Sequence, residues 1–368
     1  MRIFFAPLFK RPHFNLLYFK QISALPKTAV ILFNLGGPDK LESVRPFLFN
    51  LFNDRAIIPW IQPFRFALAK LISTLREPKA QKIYKEIGGS SPLLKFTESQ
   101  AYSLEHELSF FGDYKVFVSM RYWHPMADKV VKKVKEYAPN KVILLPLYPQ
   151  FSTATTNSSV EDFLKRLPTE LNTKVICCYP TDSDFISAYA NLIKQKIGGH
   201  EFGKLRFLFS AHGLPQSLIE AGDPYASQVE KSVAAVVKNF PSQIDYRVCY
   251  QSKVGPKKWT SPSLEFELER VLVDDKIPVI VPISFVSDHS ETLYELDIQY
   301  RDFLKERGQN QLIRIPALNS DGRFIKGLAE MVKNAVADSE NKIFCGKNPQ
   351  RICEKKFKFC PNQNYSKS

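Results

Sequence analysis

Asp288, His289, Glu291 and Glu295 crowd into one stretch, Val286-Ser-Asp-His-Ser-Glu-Thr-Leu-Tyr-Glu-Leu-Asp297. Carboxylates and imidazoles at that density can exchange protons and attract a divalent metal. They follow an apolar run, Ile277-Pro-Val-Ile-Val-Pro-Ile-Ser-Phe285, which reads as a buried strand. The polar groups therefore stand at a strand-to-helix junction, where ligands bind in parallel α/β sheets. At helical spacing Asp288, Glu291 and Glu295 (i, i+3, i+7) share one face and make a carboxylate ladder. Asp288 with Glu291 also fits an N-cap and its capping-box partner, a reading that leaves Glu295 unexplained.

A second strand end carries a matching group. In Leu205-Arg-Phe-Leu-Phe-Ser-Ala-His-Gly-Leu-Pro215, His212 follows a β-type run and precedes Gly213, where the backbone can turn and leave the imidazole facing a cleft. The remaining histidines, His13, His106, His124, His200 and His289, read first as structural, His289 least so because of its neighbours.

Strand-like runs at 29–35, 115–120, 141–147 and 174–179 recur at 205–210, 246–250, 278–285 and 312–316. Amphipathic helical stretches separate most of them, so both halves read as parallel and doubly wound. Leu145-Pro-Leu147 leads into the polar turn Phe151-Ser-Thr-Ala-Thr155 much as Val281-Pro-Ile283 leads into Phe285-Val-Ser-Asp-His289. Such an echo predicts two similar four-stranded sheets with the site in the cleft between them. Gly36-Gly37-Pro38 is no dinucleotide fingerprint, since G-x-G-x-x-G is absent.

Seven colinear blocks resemble the ferrochelatase family. They are Val30-Ile-Leu-Phe-Asn-Leu-Gly-Gly-Pro38, Tyr84-Lys-Glu-Ile-Gly-Gly-Ser-Ser-Pro-Leu93, Met120-Arg-Tyr-Trp-His-Pro125, Leu145-Pro-Leu-Tyr-Pro-Gln-Phe-Ser152, Ser210-Ala-His-Gly-Leu-Pro215, Tyr250-Gln-Ser-Lys-Val-Gly-Pro256 and the segment 287–297. The resemblance implies two Rossmann-like α/β domains and insertion of ferrous iron, as substrate, into protoporphyrin to give haem. It assigns His212 to the porphyrin face as proton acceptor, metal ligand or both, and Glu291 as the second metal-proximal residue. Asp288, His289 and Glu295 would carry protons or metal along the helix face. Arg121 and Tyr122 map to the inner pocket, Gln251, Ser252, Lys253 and Trp259 to the opposite wall, and Tyr148 and Ser152 to the first-domain side.

Composition agrees with an enzyme that meets membranes. The chain has 368 residues, 44% of them hydrophobic, and a net charge of +14 from 51 basic and 37 acidic residues, an excess that suits an anionic bilayer or a carboxylate-bearing substrate. No zinc-finger, helix-turn-helix or RNP-type pattern points to nucleic acid. No run approaches the roughly 20 apolar residues of a spanning helix. Residues 47–75 form an apolar stripe broken by Pro59 and Pro63 and followed by Arg76, Lys79 and Lys82, which suits a lip lying in a membrane interface. In the family this region forms the pocket mouth and contacts the membrane. Residues 1–27 are basic and aromatic and read as a membrane-facing extension of a cytoplasmic protein at the inner membrane. Domains are expected at 28–185 and 186–340, with a polar tail at 341–368; oligomeric state stays open.

Cys177, Cys178 and Cys249 fall in strand-like runs and read as core residues. Cys345, Cys353 and Cys360 lie in the Lys-rich tail with spacing C-x₇-C-x₆-C. Some family members carry a [2Fe-2S] cluster on such an extension, held by three tail cysteines and one from the body. The resemblance thus offers these three thiols as ligands and leaves the fourth unknown. A chelatase for cobalt or for coproporphyrin, and a two-lobed solute-binding protein, are the competing readings. The last would need no His212 opposite Glu291.

Overall fold

The computed structural model describes residues 26–253, 255 and 257–363. Most of the basic N-terminal extension, and with it that expectation, lies outside the described residues. Nine strands follow in chain order: β1 (Thr28–Asn34), β2 (Tyr114–Met120), β3 (Lys141–Pro146), β4 (Asn172–Cys178), β5 (Leu205–His212), β6 (Tyr246–Gln251), β7 (Ile277–Pro282), β8 (Ile313–Arg314) and β9 (Ile343–Cys345). β1 reads Thr-Ala-Val-Ile-Leu-Phe-Asn and is buried along its whole length. Helices cover both faces of a parallel sheet, so unbroken apolar runs replace the alternation of a half-exposed strand.

The strand orders are β2-β1-β3-β4-β9 and β6-β5-β7-β8, with every pairing parallel. The first four strands of each half have the same order, which is the duplication that the sequence echo predicts. The resemblance extends to the turns. β3 leads into a π-helical segment, Thr153–Asn157, and β7 into a longer one, Glu291–Gln299. One buried cluster runs from Val30, Leu32, Ile143 and Leu145 of the first sheet to Phe207, Phe209, Val279 and Val281 of the second. The halves are thus joined by apolar packing.

Two expectations are corrected here. The first sheet has five strands, because the tail supplies β9 beside β4. Three apolar residues inside a Lys-rich stretch are too short for periodicity to reveal. The packing also changes before residue 340. The helix Gly322–Ala337 leaves the second half and packs on the helices Leu93–Ser109 and Ser183–Ile197 and against β3 and β4. Lys141 Nζ then donates to Val336 O at 2.7 Å, fixing the end of that helix to the first sheet.

The helix Leu93–Ser109 braces the segment that carries the acidic cluster. Gln100 is fully buried, and its Nε2 donates to Val286 O and Asn319 O, both at 3.0 Å. Its Oε1 accepts from Ser287 Oγ at 2.9 Å. One amide from the first half therefore satisfies two polar groups just upstream of Asp288 and a third at Asn319. Gln100→Ala should lower stability by about 2–4 kcal/mol in urea unfolding, because it leaves three buried groups without partners. A loss under about 0.5 kcal/mol would contradict the bracing role.

Candidate active site

β5 is buried until its last residue, His212, whose side chain is 36% exposed. The chain then turns at Gly213, whose N donates to Gln251 O at 2.9 Å. A Cβ at Gly213 would meet that same oxygen at 3.0 Å, so glycine lets the His212 loop lie flat against β6. His212 Nδ1 lies 2.8 Å from Glu291 Oε2. Burial opposes the imidazolium, but the Glu291 charge and hydrogen bond outweigh it and raise the His212 pKa. Burial likewise opposes the Glu291 charge, and His212 outweighs it, holding the carboxyl down at about 2.

Glu295 stands one wide turn further along. Its Oε2 accepts from Ser252 Oγ at 2.7 Å and from Gln251 Nε2 at 3.1 Å. Burial and then the Glu291 charge push its pKa up to about 7. Two neighbouring carboxylates thus have ionisation ranges driven far apart, an arrangement that suits one fixed charge and one proton carrier. Ser252 adopts φ +64°, a left-handed conformation that a side-chain-bearing residue holds only under constraint. The constraint aims its hydroxyl at Glu295 and, at 3.3 Å, at Glu291. Gln251 accepts from Ser210 Oγ at 2.6 Å and donates to Glu291 O at 3.2 Å as well as to Glu295. Both residues thus position carboxylates.

The three-carboxylate ladder does not form. Asp288 precedes the helical segment, and its carboxylate accepts from Arg314 Nη1 and Asn319 Nδ2, each at 2.9 Å. Arg314 also pairs with Asp297. Asp288 is therefore a buried ion-pair partner that fixes the loop. Nor is it a cap, since no side chain caps the Glu291–Gln299 segment. The π-helical bonding of that segment widens the turn and brings Glu291 and Glu295 together over Ser252. His289 is buried, with Nδ1 3.2 Å from Ser287 O and Nε2 3.9 Å from Glu291 Oε2. Burial, the largest influence, lowers its pKa and keeps it neutral at pH 7.

The first half contributes a wall and a lip. Asp54 accepts from Arg121 Nη2 at 2.8 Å, Tyr122 Oη at 2.7 Å and Ser158 Oγ at 2.5 Å. Burial works against its charge, yet Arg121 and these hydrogen bonds lower its pKa. Tyr122 is buried, so it and Arg121 tie the lip to the end of β2. Asp54 is an anchor of the lip that the sequence did not disclose; its one signal is an acid inside an apolar stripe. Ser152 donates to buried Asp223 at 3.0 Å and so joins the halves. Tyr84, from the lip helix Phe64–Glu86, reaches Ser290 at 3.5 Å. Lys253 is exposed, and half-buried Trp259 bridges to Pro215 beside the His212 loop.

Within the lip, Phe47, Leu48 and Phe52 pack inward against Tyr84 and Tyr122. The residues that face outward come later. Trp60, Ile61, Phe64, Leu71 and Leu75 are 55%, 72%, 62%, 56% and 70% exposed. Phe64, Leu71 and Leu75 (i, i+7, i+11) share one helix face. No helix among the described residues is long and apolar enough to cross a membrane.

The tail cysteines are buried, and Cys177 and Cys178 are not isolated core residues, because both meet Cys345. Cys249 does fit the core reading, within a separate apolar cluster.

The ferrochelatase family model matches residues 27–336. A ferrochelatase of Rickettsia bellii (strain OSU 85-389) is 49% identical over 339 residues, covering 91% of this chain and 94% of its own. One from Wolbachia sp. subsp. Drosophila simulans (strain wRi) is 53% identical over 315 residues, covering 84% and 99%. The solved structure of the sirohydrochlorin chelatase SirB from Bacillus subtilis subspecies spizizenii, in complex with cobalt, matches with a TM-score of 0.52 at 9% identity, covering 85% of this chain and 97% of that one. That likeness concerns the fold alone. The family match and the near-half identity reach across the same residues that bring His212 to Glu291, and the chain belongs to the ferrochelatase family, the chelatases that insert ferrous iron into protoporphyrin to make haem.

Proposed function

We propose that His212 and Glu291 form the reacting pair, with His212 taking the pyrrole protons and Glu291 meeting the incoming ferrous ion beside it. The observation that carries this reading is the 2.8 Å contact between them at the end of β5. Two N–H protons leave the macrocycle for each Fe²⁺ that enters. Glu291 supports the imidazolium that results, so His212 is a stronger base than an imidazole in water. Glu295, titrating near neutrality, passes the proton onward. Neutral His289 has its Nε2 toward Glu291 and serves as a further proton carrier or ligand. Arg121, Tyr122, Gln251 and Ser252 shape and stiffen the pocket, whereas Lys253 and Trp259 meet the porphyrin itself, the lysine at a propionate.

The outward lip residues, with Lys70, Arg76, Lys79 and Lys82 nearby, support peripheral attachment to an anionic membrane on the cytoplasmic side of the inner membrane. An exposed apolar face of this kind marks an interaction site. Cys345, Cys353 and Cys360 suit a [2Fe-2S] cluster, since they are buried, free thiols with Asn362 and Gln228 amides directed at sulfur. When bound, such a cluster supplies a one-electron couple and a cross-link between tail and sheet.

Three outcomes test this account. Glu291→Gln should reduce metalation of protoporphyrin by roughly a hundredfold or more, within the range of general acid–base losses, while porphyrin binding and far-UV circular dichroism persist. Near-parent turnover would remove Glu291 from the chemistry. Glu295 gives a pH signature: its folded pKa of about 7 lies above the ordinary 4.5, so native Glu295 opposes folding increasingly as pH rises between those values. Glu295→Gln should therefore match the parent at pH 4 and melt at least ~2–4 °C higher at pH 8. Equal melting at both pH values would show an ordinary carboxyl. Replacing Trp60, Ile61 and Phe64 together by Ser should weaken binding to vesicles containing anionic lipid with circular dichroism unchanged; undiminished binding would contradict the lip assignment.

A further inference from the structure

Cys177 and Cys178 are neighbours in β4, and in a regular strand their side chains would point to opposite faces. The pairing of β4 with β9 runs Val175 with Ile343 and Ile176 with Phe344, then jumps to Cys178 with Cys345. Cys177 is the extra residue of a β-bulge, the device by which strands re-aim a side chain. The bulge gathers both thiols on one side. Cys177 Sγ lies 3.6 Å from Cys178 Sγ and 3.7 Å from Cys345 Sγ, and the three sulfurs fall within 4.8 Å of one another.

The rest of the tail closes around them. Gln228 directs Nε2 to Cys353 Sγ at 3.0 Å and to Cys178 Sγ at 3.5 Å, placing both under one donor. Asn362 Nδ2 lies 3.5 Å from Cys345 Sγ, and Cys360 packs with Cys353 and Phe357. All five thiols are buried and none is in a disulfide. Apolar side chains would fill such a space without amide donors turned toward sulfur, whereas the thiolates of an iron–sulfur cluster accept hydrogen bonds of this kind.

We propose that the vicinal pair Cys177 and Cys178 supplies the fourth protein ligand of the cluster, either thiol being able to complete the set with Cys345, Cys353 and Cys360. The inference rests on the cluster reading above. A [2Fe-2S] centre takes four thiolates, each thiol losing its proton on ligation, and the tail provides three. The remaining cysteine of the six, Cys249, lies in another core with its thiol on Phe209 O at 3.6 Å. Ligation by either β4 thiol would clamp β9 to its neighbour at the bulge, tying the tail to the edge of the first sheet.

The test uses the full chain, reconstituted anaerobically with ferrous iron and sulfide: the parent, Cys177→Ala, Cys178→Ala and the double variant. The parent and both single variants should hold about two irons and two sulfides per chain, and the double variant less than roughly a fifth of that. Porphyrin binding, followed by fluorescence, checks that each protein is folded. A parent without iron and sulfide removes the cluster reading and this inference with it. A loaded parent and a fully loaded double variant overturn the fourth-ligand assignment alone, and loss in one single variant overturns the interchange. Should the double variant not fold, Cys177→Ser and Cys178→Ser carry the test through the electron paramagnetic resonance of the reduced cluster. At least one spectrum should shift, and two unchanged spectra would place the fourth ligand elsewhere.

Discussion

The hydrogen-bonded contact between His212 and Glu291 is the interaction on which the site depends. It joins the end of β5 to the segment after β7, and each partner alters the other's ionisation: the imidazolium holds Glu291 charged, and Glu291 makes His212 the better base. A charge pair of this kind is costly to bury unless its remaining hydrogen-bonding capacity is met. Ser252 meets part of it, donating to Glu291 Oε2 at 3.3 Å. The left-handed Ser252, the flat turn at Gly213 and the widened helix at Glu291–Gln299 are local distortions gathered within a few residues of that contact. Local distortion gathered around a buried charge pair is characteristic of a functional site.

The two halves share a topology and divide the work. Both third strands run into a π-helical segment, but the first half has Thr153-Ala-Thr-Thr-Asn157 there, and the second half has Glu291 and Glu295. The hydroxyls of Ser152 and Thr153 bind Asp223 across the halves. The first half instead supplies rigidity and reach. Gln100 holds the loop before Asp288, and Asp54 anchors the lip through Arg121, Tyr122 and Ser158. A duplicated scaffold thus carries two different π-helical segments, and the proposed reactive pair uses the acidic one.

The sequence disclosed the strand ends and the titratable groups that follow them, His212 at the end of β5 and Glu291 after β7, because long apolar runs that stop at such residues give a strong local signal; that the two face each other was implied by the family resemblance. It also gave Glu295 its place near Glu291, though for a reason the structure replaces. Helical spacing put Asp288 on the same face, and that inference failed because Asp288 precedes the helix and finds Arg314, a residue 26 positions away that no local pattern connects to it. Gln100 and Asp54 escaped notice for the same cause, since their partners are tertiary. β9 was too short to read, and the bulge that gathers Cys177 and Cys178 exists only through its pairing with β9. Gln251, Ser252, Arg121 and Tyr122 came from family resemblance; the first two bond Glu291 and Glu295, the last two bond Asp54, and each has a positioning task.

The central claim is that His212 and Glu291 act as one unit. A double-mutant cycle measures this directly, with protoporphyrin metalation rates for the parent, His212→Ala, Glu291→Gln and the combined variant. Groups that share one function lose it once, so the combined variant should be about as slow as the slower single variant. Losses that multiply across the cycle would show two independent contributions and contradict the account.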